Sequence, residues 1–328
     1  MRPLPEIGVV ILHRGDLSRT AEARASLEPA GHRQGQAWAA VPRIFAADSV
    51  ALEREFGRDR VLIETGEAAS GLSSLLNRGL RAALEAGSDY VLLLDASCCL
   101  KKNALAPLLI ALEAQRFAGV ACPAIIQEGN GKVFSFGGEA GGWAGCAKPS
   151  LNGAGKDVGR LRHWETAGFA PYHCAIFKRE FLEDVGLFNE AYGSFAFDAE
   201  LGLRAKGEHW SVIAVPQSIA SISPEMKHPA GAALEMARNT IWLLRAYGAP
   251  VKRLPALLAH MAFTWPLAFA ANILRGRFRA AGAVVKGSLQ GLFSGAFREG
   301  GHFALPVRGR KQRATAPSPS AFVMKYLL

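Results

Sequence analysis

The stretch Asp89-Tyr-Val-Leu-Leu-Leu-Asp95 carries the strongest strand signal in the chain. Its apolar residues are continuous rather than alternating, which is typical of a strand buried on both faces of a parallel sheet. The run Ile7–Leu12 has the same character. Between the two runs, leucines at helical spacing in residues 72–83 predict an amphipathic helix that ends near Gly87. This alternation predicts an α/β fold with parallel strands.

Other short apolar runs extend the pattern along the chain. Further strands are expected at residues 43–47, 61–63, 119–122, 175–177 and 212–215, and further helices at residues 105–112, 197–206 and 234–244. Asn103 is expected to cap the first of these helices. The glycine-rich residues 129–159 are expected to form long loops or a hairpin beside the site.

The charge of the chain is unevenly distributed. The 328 residues have a formal net charge of +10, and residues 236–328 hold 14 Lys and Arg against a single acid, Glu299. The first 235 residues are slightly acidic, with 24 Lys and Arg against 27 Asp and Glu. A basic C-terminal part of this kind is typical of a segment that binds an anionic partner. The five cysteines include an adjacent pair, and their odd number indicates reduced thiols in a cytoplasmic protein.

A mostly apolar stretch of 21 residues at positions 254–274 is flanked by basic residues. Its length would just cross a bilayer. Two prolines, a histidine and an asparagine lie inside it, and with positive charge at both ends they favour a helical segment in the membrane interface. A membrane span and a soluble, buried helical pair remain the alternatives. The predicted parts are an α/β domain at residues 1–250, a basic and apolar helical segment at 251–305, and a disordered tail at 306–328.

Three acids occupy positions where a ligand of such a sheet would bind, beyond the carboxyl ends of the strands. Asp48 and Asp95 follow predicted strands, and Asp198 opens a predicted helix. Carboxylates at these places suit contacts with a nucleobase, a ribose or a metal ion, or the transfer of a proton. For each, an ordinary loop or capping role remains the alternative. Glu200 and Arg204 have the spacing of a surface ion pair.

Several segments resemble the family 2 glycosyltransferases. They are Ser70-Gly-Leu-Ser-Ser-Leu-Leu-Asn-Arg-Gly79, the strand that leads into Asp95, Val185-Gly-Leu-Phe-Asn-Glu190, and Phe197-Asp-Ala-Glu-Leu-Gly-Leu-Arg204. Arg238-Asn239 in a following helix also fits. The resemblance covers residues 7–250 in the right order, and the subgroup that includes rhamnosyltransferases of surface-polysaccharide assembly is the most similar. It implies a GT-A fold, which is a Rossmann-like, nucleotide-sugar-binding α/β sandwich.

The resemblance also implies roles for individual residues. Asp198 matches the catalytic base, which deprotonates the acceptor hydroxyl during inverting sugar transfer. Glu200 and Arg204 match supporting positions. The implied donor-binding residues are Asp48 at the nucleobase, Asp95 near the ribose and diphosphate, Ser97 and Asn77. Arg14 departs from the family pattern and is a donor-binding candidate because it follows the first strand.

Two departures from the family pattern concern a metal ion. Ser97 stands where the D-x-D motif has its second acid, and Ser221-Ile222-Ser223 stands where the family has a histidine, for which His228 would be a distant substitute. Asp95 alone is a weak anchor for Mg²⁺ or Mn²⁺. Use of a divalent cation is therefore expected to be weak or absent, with Arg14, or Lys101 and Lys102, offsetting the charge of the diphosphate.

The sequence predicts an enzyme that is bound peripherally to the cytoplasmic face of the cell membrane. It would transfer a sugar from a nucleotide sugar to a lipid-linked or glycan acceptor, with inversion, in the synthesis of a cell-surface polysaccharide. The alternative is a catalytically inactive relative that binds or scaffolds at the membrane. A nucleic-acid partner is not expected, because the apolar segment beside the basic residues favours an anionic lipid surface.

Overall fold

The computed structural model describes residues 5–32, 36–64, 71–140, 150–223, 232–247, 255 and 257–294. The strands are β1 (Ile7–Leu12), β2 (Ala37–Val41), β3 (Val61–Ile63), β4 (Tyr90–Asp95), β5 (Cys98–Leu100), β6 (Ala118–Gln127), β7 (Val133–Ser135), β8 (Gly138–Glu139), β9 (Ser150–Leu151), β10 (Glu165–Ala167), β11 (Cys174–Lys178) and β12 (Ser211–Ile222). The helices are α1 (Leu17–Ala25), α2 (Ser49–Phe56), α3 (Gly71–Glu85), α4 (Leu105–Ala114), α5 (Arg179–Val185), α6 (Phe197–Gly207), α7 (Ala232–Tyr247), α8 (Trp265–Leu274) and α9 (Phe278–Phe293).

One large mixed sheet organises these elements. Its strand order is β10-β12-β6-β11-β4-β1-β2-β3, with β5 added to β12 and β7 added to β6. Strands β4, β1, β2 and β3 are parallel, as the sequence predicts. The expectation of parallel strands is wrong at β11, which is antiparallel to both β4 and β6. Between β6 and β11 the described residues, 128–140 and 150–173, form short strands and no α-helix that would carry the chain back across the sheet. The chain re-enters the sheet in the opposite direction at β11.

Strand β1 shows why a continuous apolar run is buried on both faces. Val10 and Leu12 belong to the core that contains α3 and α5. Val9 and Ile11 point to the opposite core, which contains residues of α2 and α4. Helix α3 lies very close to β1, because a Cβ atom at Gly79 would come within 2.4 Å of Val10 Cγ1. Helices therefore cover both faces of the sheet, and its carboxyl edge remains for ligands.

Two of the predicted elements differ from the structure. Residues 43–47 belong to a 3₁₀-helix, Arg43–Asp48, and the strand of this region is β2. The 43–47 run is apolar, but Ile44 is 83% exposed and does not enter the core. Asn103 does not cap α4; it takes a φ of 60° in the turn before the helix, whose N-cap residue is Ala104.

The C-terminal helices divide into a packed one and an exposed one. Helix α9 packs on α7 through two glycines: a Cβ at Gly287 would lie 2.2 Å from the Leu234 carbonyl oxygen, and one at Gly291 would lie 2.9 Å from that of Arg238. Helix α8, in contrast, has no buried residue. Residues 257–274 are, by length and composition, the one helix in the described ranges that could cross a membrane, with a mean hydropathy of 1.5 and 6% of its residues buried.

The interfacial segment, the membrane span and the soluble, buried helical pair at residues 254–274 all stay predictions, and the mostly exposed surface of residues 257–274 suits the first two. The described residues of the predicted 251–305 segment form a π-helical turn, His260–Thr264, followed by α8 and α9. The predicted disordered tail at residues 306–328 lies outside the described residues, as does His228.

Candidate active site

Polar side chains from three elements meet at the carboxyl edge of the sheet. Leu12, the last residue of β1, is paired with Asp95, the last residue of β4. Arg14 follows β1 and Tyr172 precedes β11, which is the other neighbour of β4. Because β1 and β4 are parallel, their ends place Arg14 directly beside Asp95. The predicted position of Asp95 at a strand end is therefore confirmed.

Arg14 and Asp95 form a tight ion pair. Arg14 Nε donates to Asp95 Oδ2 at 2.8 Å, and Arg14 Nη2 lies 2.7 Å from the same oxygen. The Asp95 side chain is fully buried, whereas that of Arg14 is 21% exposed. Burial alone would raise the pKa of Asp95, but the Arg14 guanidinium outweighs it and holds that pKa below its ordinary value. Asp95 is thus a fixed negative charge.

The second oxygen of Asp95 is occupied by Ser97. Both the backbone N–H and the hydroxyl of Ser97 donate to Asp95 Oδ1, at 2.9 and 2.8 Å. Ser223 N donates in turn to the Ser97 carbonyl oxygen at 2.9 Å. The two positions at which the chain departs from the family pattern, Ser97 and residues 221–223, are therefore adjacent in space.

Tyr172 links this pair to the third candidate acid. Arg14 Nη2 donates to the Tyr172 hydroxyl at 2.9 Å, and the Tyr172 backbone N–H donates to Asp198 Oδ2 at 3.3 Å. The Tyr172 ring stacks on His173 with centroids 4.2 Å apart and lies against Phe197 at 5.1 Å. Burial raises the pKa of Tyr172, so its hydroxyl stays protonated.

Asp198 has a different environment. It is the second residue of α6 and lines a narrow pocket whose other walls are mainly apolar, among them Phe177, Phe181 and Phe188. Burial raises the pKa of Asp198 to about 6, although the backbone N–H groups of Tyr172 and Ala199 favour the charged form. A carboxyl with this pKa is largely ionised at neutral pH and still able to accept a proton, as a general base must.

Asp48 lies in a separate hydrogen-bonded group. It ends the 3₁₀-helix and does not follow a strand directly, which corrects its predicted placement. Asp48 Oδ2 is 2.9 Å from Nε2 of the buried His13, and His13 Nδ1 is 2.8 Å from Thr20 Oγ1. Phe45 packs edge-on against the His13 ring at 5.8 Å. The group places a partly exposed carboxylate beside an aromatic ring, next to the end of β1.

Asn77 does not face the site. It is fully buried in α3, and all of its described contacts hold the loop before α6. Its amide Nδ2 donates to the Phe188 carbonyl oxygen and to Glu190 Oε1, each at 2.9 Å, and its Oδ1 accepts from Phe188 N at 3.0 Å. The donor-binding role expected from the resemblance is therefore corrected to the support of a loop.

Glu200 and Arg204 are a buried pair rather than a surface pair. The Glu200 side chain is 1% exposed, and its Oε2 lies 2.9 Å from Arg204 Nη2. Its Oε1 accepts a hydrogen bond from the Tyr247 hydroxyl at 2.5 Å. Arg204 donates to the carbonyl oxygens of Val185 and Leu187 at 2.6 and 2.7 Å. The pair joins α6 to α7 and to the chain before it, which agrees with a supporting position.

Helix α7 supports the same loop from the other side. Asn239 Nδ2 donates to the carbonyl oxygens of Tyr192 and Phe195, each at 2.7 Å. Glu235 Oε2 accepts from Ser194 N at 2.9 Å. Residues 192–195 lead directly into α6. These contacts therefore fix where α6 begins and, with it, the position of Asp198 in its first turn.

Sequence reasoning missed Tyr172, His173 and the pairing of His13 with Asp48. The signal for the first two is Ala170-Pro-Tyr-His173, in which aromatic and polar residues directly precede a predicted strand. His13 follows the first strand at a position where a ligand-binding edge is expected. Of the three basic candidates, Arg14 contacts Asp95, whereas Lys101 and Lys102 are exposed after β5.

With this geometry in place, the chain can be compared with known proteins. Residues 47–186 match the model of a family described as Glycosyl transferase family 2. This part of the chain is similar to a family 2 glycosyltransferase domain. Asp48, Asp95, Ser97 and Asn77 lie inside the matched range, whereas Arg14 and Asp198 lie outside it. No curated protein matches this chain.

Two solved structures are similar to the glycosyltransferase domain in fold. One is GalNAc-T7 with UDP, GalNAc and Mn²⁺, with a TM-score of 0.55, 16% identity, and a coverage of 74% of this chain and 48% of that one. The other is the mannosyltransferase PcManGT from Pyrobaculum calidifontis in complex with GDP-Man and Mn²⁺, with a TM-score of 0.50, 15% identity, and a coverage of 88% and 87%. These likenesses confirm the mixed α/β, GT-A type of fold. The chain spans about half the length of the first.

Both of these structures hold Mn²⁺, so the fit of a divalent cation to the glycosyltransferase domain can be tested. Asp95 is the one acid of the expected motif, and its two oxygens already accept from Arg14 and Ser97. Among the described residues, no group of three or more His, Cys, Asp and Glu could hold a metal ion. The described residues of this site do not fit a divalent cation.

Proposed function

We propose that the chain transfers a sugar from a nucleotide-sugar donor to an acceptor hydroxyl with inversion at the anomeric carbon. The family match and the fold support nucleotide-sugar chemistry. We further propose that the acceptor is a lipid-linked or glycan chain of a cell-surface polysaccharide, in keeping with the resemblance to the rhamnosyltransferase subgroup.

The observation that carries this proposal is the contrast between two carboxylates that are connected through Tyr172. Asp95 is held ionised by Arg14, whereas the pKa of Asp198 is raised to about 6. The Tyr172 hydroxyl accepts a hydrogen bond from Arg14, the partner of Asp95, and the Tyr172 backbone N–H donates to Asp198. Two acids with pKa values shifted in opposite directions at one sheet edge are typical of a site with one structural and one proton-accepting carboxylate.

In the proposed step, Asp198 accepts the proton of the acceptor hydroxyl while the oxygen of that hydroxyl attacks the anomeric carbon of the donor sugar. The new carbon–oxygen bond forms as the bond to the donor diphosphate breaks, and the bonding electrons leave with the nucleoside diphosphate. The developing charge on that leaving group requires fixed positive charge or hydrogen-bond donors nearby. Arg14 lies at the edge of the sheet where the diphosphate of a bound nucleotide sugar would contact the protein.

The test is a panel of UDP-, GDP-, dTDP- and CDP-sugars, measured first by thermal shift and then by release of the nucleoside diphosphate. A bound donor raises the melting temperature because it binds the native state alone. We expect one nucleotide class to stabilise the protein and to be hydrolysed or transferred. Failure of every donor to bind would contradict the proposal.

A second candidate is a catalytically inactive binding or scaffolding protein. The replacement of the second D-x-D acid by Ser97, and the hydrogen bonds that occupy Asp95, favour it. The same panel separates the two functions. A donor that stabilises the protein but is never cleaved, even with acceptor-containing membranes, would favour the binding protein over the enzyme.

We also propose that the segment of residues 257–294, which includes α8 and α9, attaches the protein to the cytoplasmic face of an anionic membrane. Exposed apolar side chains on this segment include Phe263, Leu267 and Phe293, which are 68%, 68% and 83% exposed. Exposed basic residues lie among them, at Arg275, Arg277, Arg279 and Lys286. Apolar and basic side chains on one exposed segment suit an interfacial position, since both attract it to anionic lipid.

Flotation with phosphatidylglycerol vesicles tests this attachment. Replacing Arg275, Arg277 and Arg279 by Gln should weaken binding by roughly two orders of magnitude, because each basic residue contributes about 1 kcal/mol near such a surface. Phe263→Ser with Leu267→Ser should also release the protein. The control is Ile44→Ser, which removes an apolar side chain that is 83% exposed and lies outside the segment. Equal flotation of all these variants and the wild type would contradict the attachment.

A further inference from the structure

We propose that Arg14 takes the place of a divalent cation at the donor diphosphate, so that this chain binds its nucleotide sugar without a metal ion. The inference rests on the proposed function, because it concerns the donor site of that reaction. It starts from the hydrogen bonds that already occupy Asp95.

Asp95 has no lone pair left for a metal ion. Arg14 Nε and Nη2 lie 2.8 and 2.7 Å from Oδ2. The N–H and hydroxyl of Ser97 lie 2.9 and 2.8 Å from Oδ1. A carboxylate offers about four acceptor directions. A cation would have to displace Arg14 or Ser97 from a fully buried side chain.

The remaining positions of the expected metal site carry neutral side chains. Ser97 and Ser223 are joined by a backbone hydrogen bond of 2.9 Å, so both replaced positions lie on the same side of Asp95. Ser221 Oγ, two residues before Ser223, lies 3.4 Å from Glu128 Oε1. Mg²⁺ and Mn²⁺ favour carboxylates and other charged oxygens. Two hydroxyl groups in place of an acid and a histidine remove most of that affinity.

Arg14 has the donors that the diphosphate needs. Its Nε and Nη2 hydrogens are used by Asp95 and Tyr172. Its two Nη1 hydrogens are used by none of the residues that the structure describes. The side chain is 21% exposed, so part of it is open to a ligand at the carboxyl edge of the sheet. A guanidinium edge matches phosphate oxygens in geometry as well as charge.

The ion pair also solves an electrostatic problem. A bare Asp95 carboxylate would repel a diphosphate, and in a metal-dependent site the cation removes that repulsion. Here Arg14 neutralises Asp95 and still presents N–H groups to the ligand. Donors fixed by Asp95 and Tyr172 need no reorganisation when charge develops on the leaving group. Arg14 is thus assigned as the donor-binding cation.

The first experiment titrates the wild-type protein calorimetrically with UDP, GDP, dTDP and CDP, in EDTA and in Mn²⁺. We expect the best of these probes to bind with an affinity that differs by less than roughly threefold between the two conditions. A saturable rise of roughly tenfold or more in Mn²⁺ would overturn the inference and leave the proposed function standing. Binding of no nucleoside diphosphate in either condition would overturn both.

The second experiment removes the guanidinium. Arg14→Gln should weaken the binding of the nucleoside diphosphate by roughly 10- to 100-fold. Binding of the matching nucleoside, which has no phosphate, should be unchanged. The affinity of Arg14→Lys for the nucleoside diphosphate should lie between those of the wild type and Arg14→Gln, because lysine keeps the positive charge but lacks the paired N–H donors of the guanidinium. The matched control is Arg24→Gln, which removes an arginine from an ion pair with Glu55 elsewhere on the surface.

Stability decides how these variants are interpreted. If Arg14→Gln does not fold, Arg14→Lys and the metal titration of the wild type carry the test. Unchanged diphosphate binding by a folded Arg14→Gln or Arg14→Lys variant would overturn the assignment. So would equal loss of the nucleoside and the nucleoside diphosphate, since that result indicates a general collapse of the site.

Discussion

Asp95 and Asp198 are connected through Arg14 and Tyr172, yet their surroundings are opposite. Asp95 is fully buried and accepts four hydrogen bonds or ion-pair contacts from Arg14 and Ser97. Among the described residues, Asp198 accepts hydrogen bonds from backbone N–H groups and is surrounded by aromatic and aliphatic side chains. The pKa of Asp95 is lowered and that of Asp198 is raised to about 6. Position at the end of a strand or at the start of a helix thus identifies a candidate site, and the partners of each acid decide what it does there.

The largest expected effect is on turnover. Asp198→Asn keeps the shape of the side chain and its acceptor oxygen but removes its basicity, so turnover should fall by roughly 10²- to 10⁴-fold. Binding of the nucleoside diphosphate should persist. The measurement is steady-state transfer or donor hydrolysis, with Asp59→Asn, an exposed acid, as the control. Turnover within a few-fold of wild type would exclude Asp198 as the base.

The next effect is on stability at the other acid. Asp95→Asn leaves Arg14 without its ionic partner and should lower the free energy of unfolding at pH 7 by about 3 kcal/mol. The pKa of Asp95 is lowered in the folded state, so its stabilisation is present above its unfolded pKa and disappears as the pH falls through the folded value. Urea unfolding from pH 7 to pH 3 measures this. A difference that is independent of pH would contradict the ion pair.

A smaller effect of opposite sign is expected at Asp198. Its pKa is raised to about 6 in the folded state, so the protonated form stabilises the fold at low pH and that contribution is lost as the pH rises through 6. Asp198→Asn should therefore stabilise the protein above pH 6, by on the order of 2 kcal/mol, and change little at pH 4. Melting curves at both pH values check this. A destabilised variant at pH 8 would favour a helix-supporting role instead.

The smallest effect calibrates the others. Arg24 and Glu55 form an ion pair at 3.3 Å whose side chains are 40% and 30% exposed. Water screens such a pair, so Arg24→Gln should change the free energy of unfolding by less than about 1 kcal/mol. Added salt should reduce the change further. A loss as large as that of Asp95→Asn would mean that burial does not distinguish the Arg14–Asp95 pair.

The sequence predicts most of the sheet because its strands are continuous apolar runs. β1, β4, β6 and β11 lie where those runs lie, and α3, α6 and α7 follow the helical spacing. Residues 43–47 show the limit of this signal. A short apolar run in a 3₁₀-helix has the same composition as a strand, and local sequence does not say which run will pair with β1.

The candidate site is only partly predictable for a related reason. Asp95, Arg14 and Asp198 follow from their positions at the ends of elements. Asn77 carries a family motif, but its partners lie more than a hundred residues away in the sequence, at residues 188–190. Spacing along one helix cannot reveal such contacts, and it cannot separate a ligand contact from the support of a loop. Tyr172 was missed because its role depends on Arg14, a residue 158 positions earlier.

The contact between α7 and α9 limits where the chain can be truncated to make a recombinant fragment. Glycines at 287 and 291 let the two helices touch backbone to backbone, and Arg245 donates to the Gly291 carbonyl oxygen at 2.7 Å. Through Asn239, α7 holds the chain at Tyr192 and Phe195, just before Asp198. The family match ends at residue 186, so a recombinant fragment cut at that limit would lose the proposed base. A fragment cut after residue 247 would keep Asp198 but strip α7 of the helix that braces it.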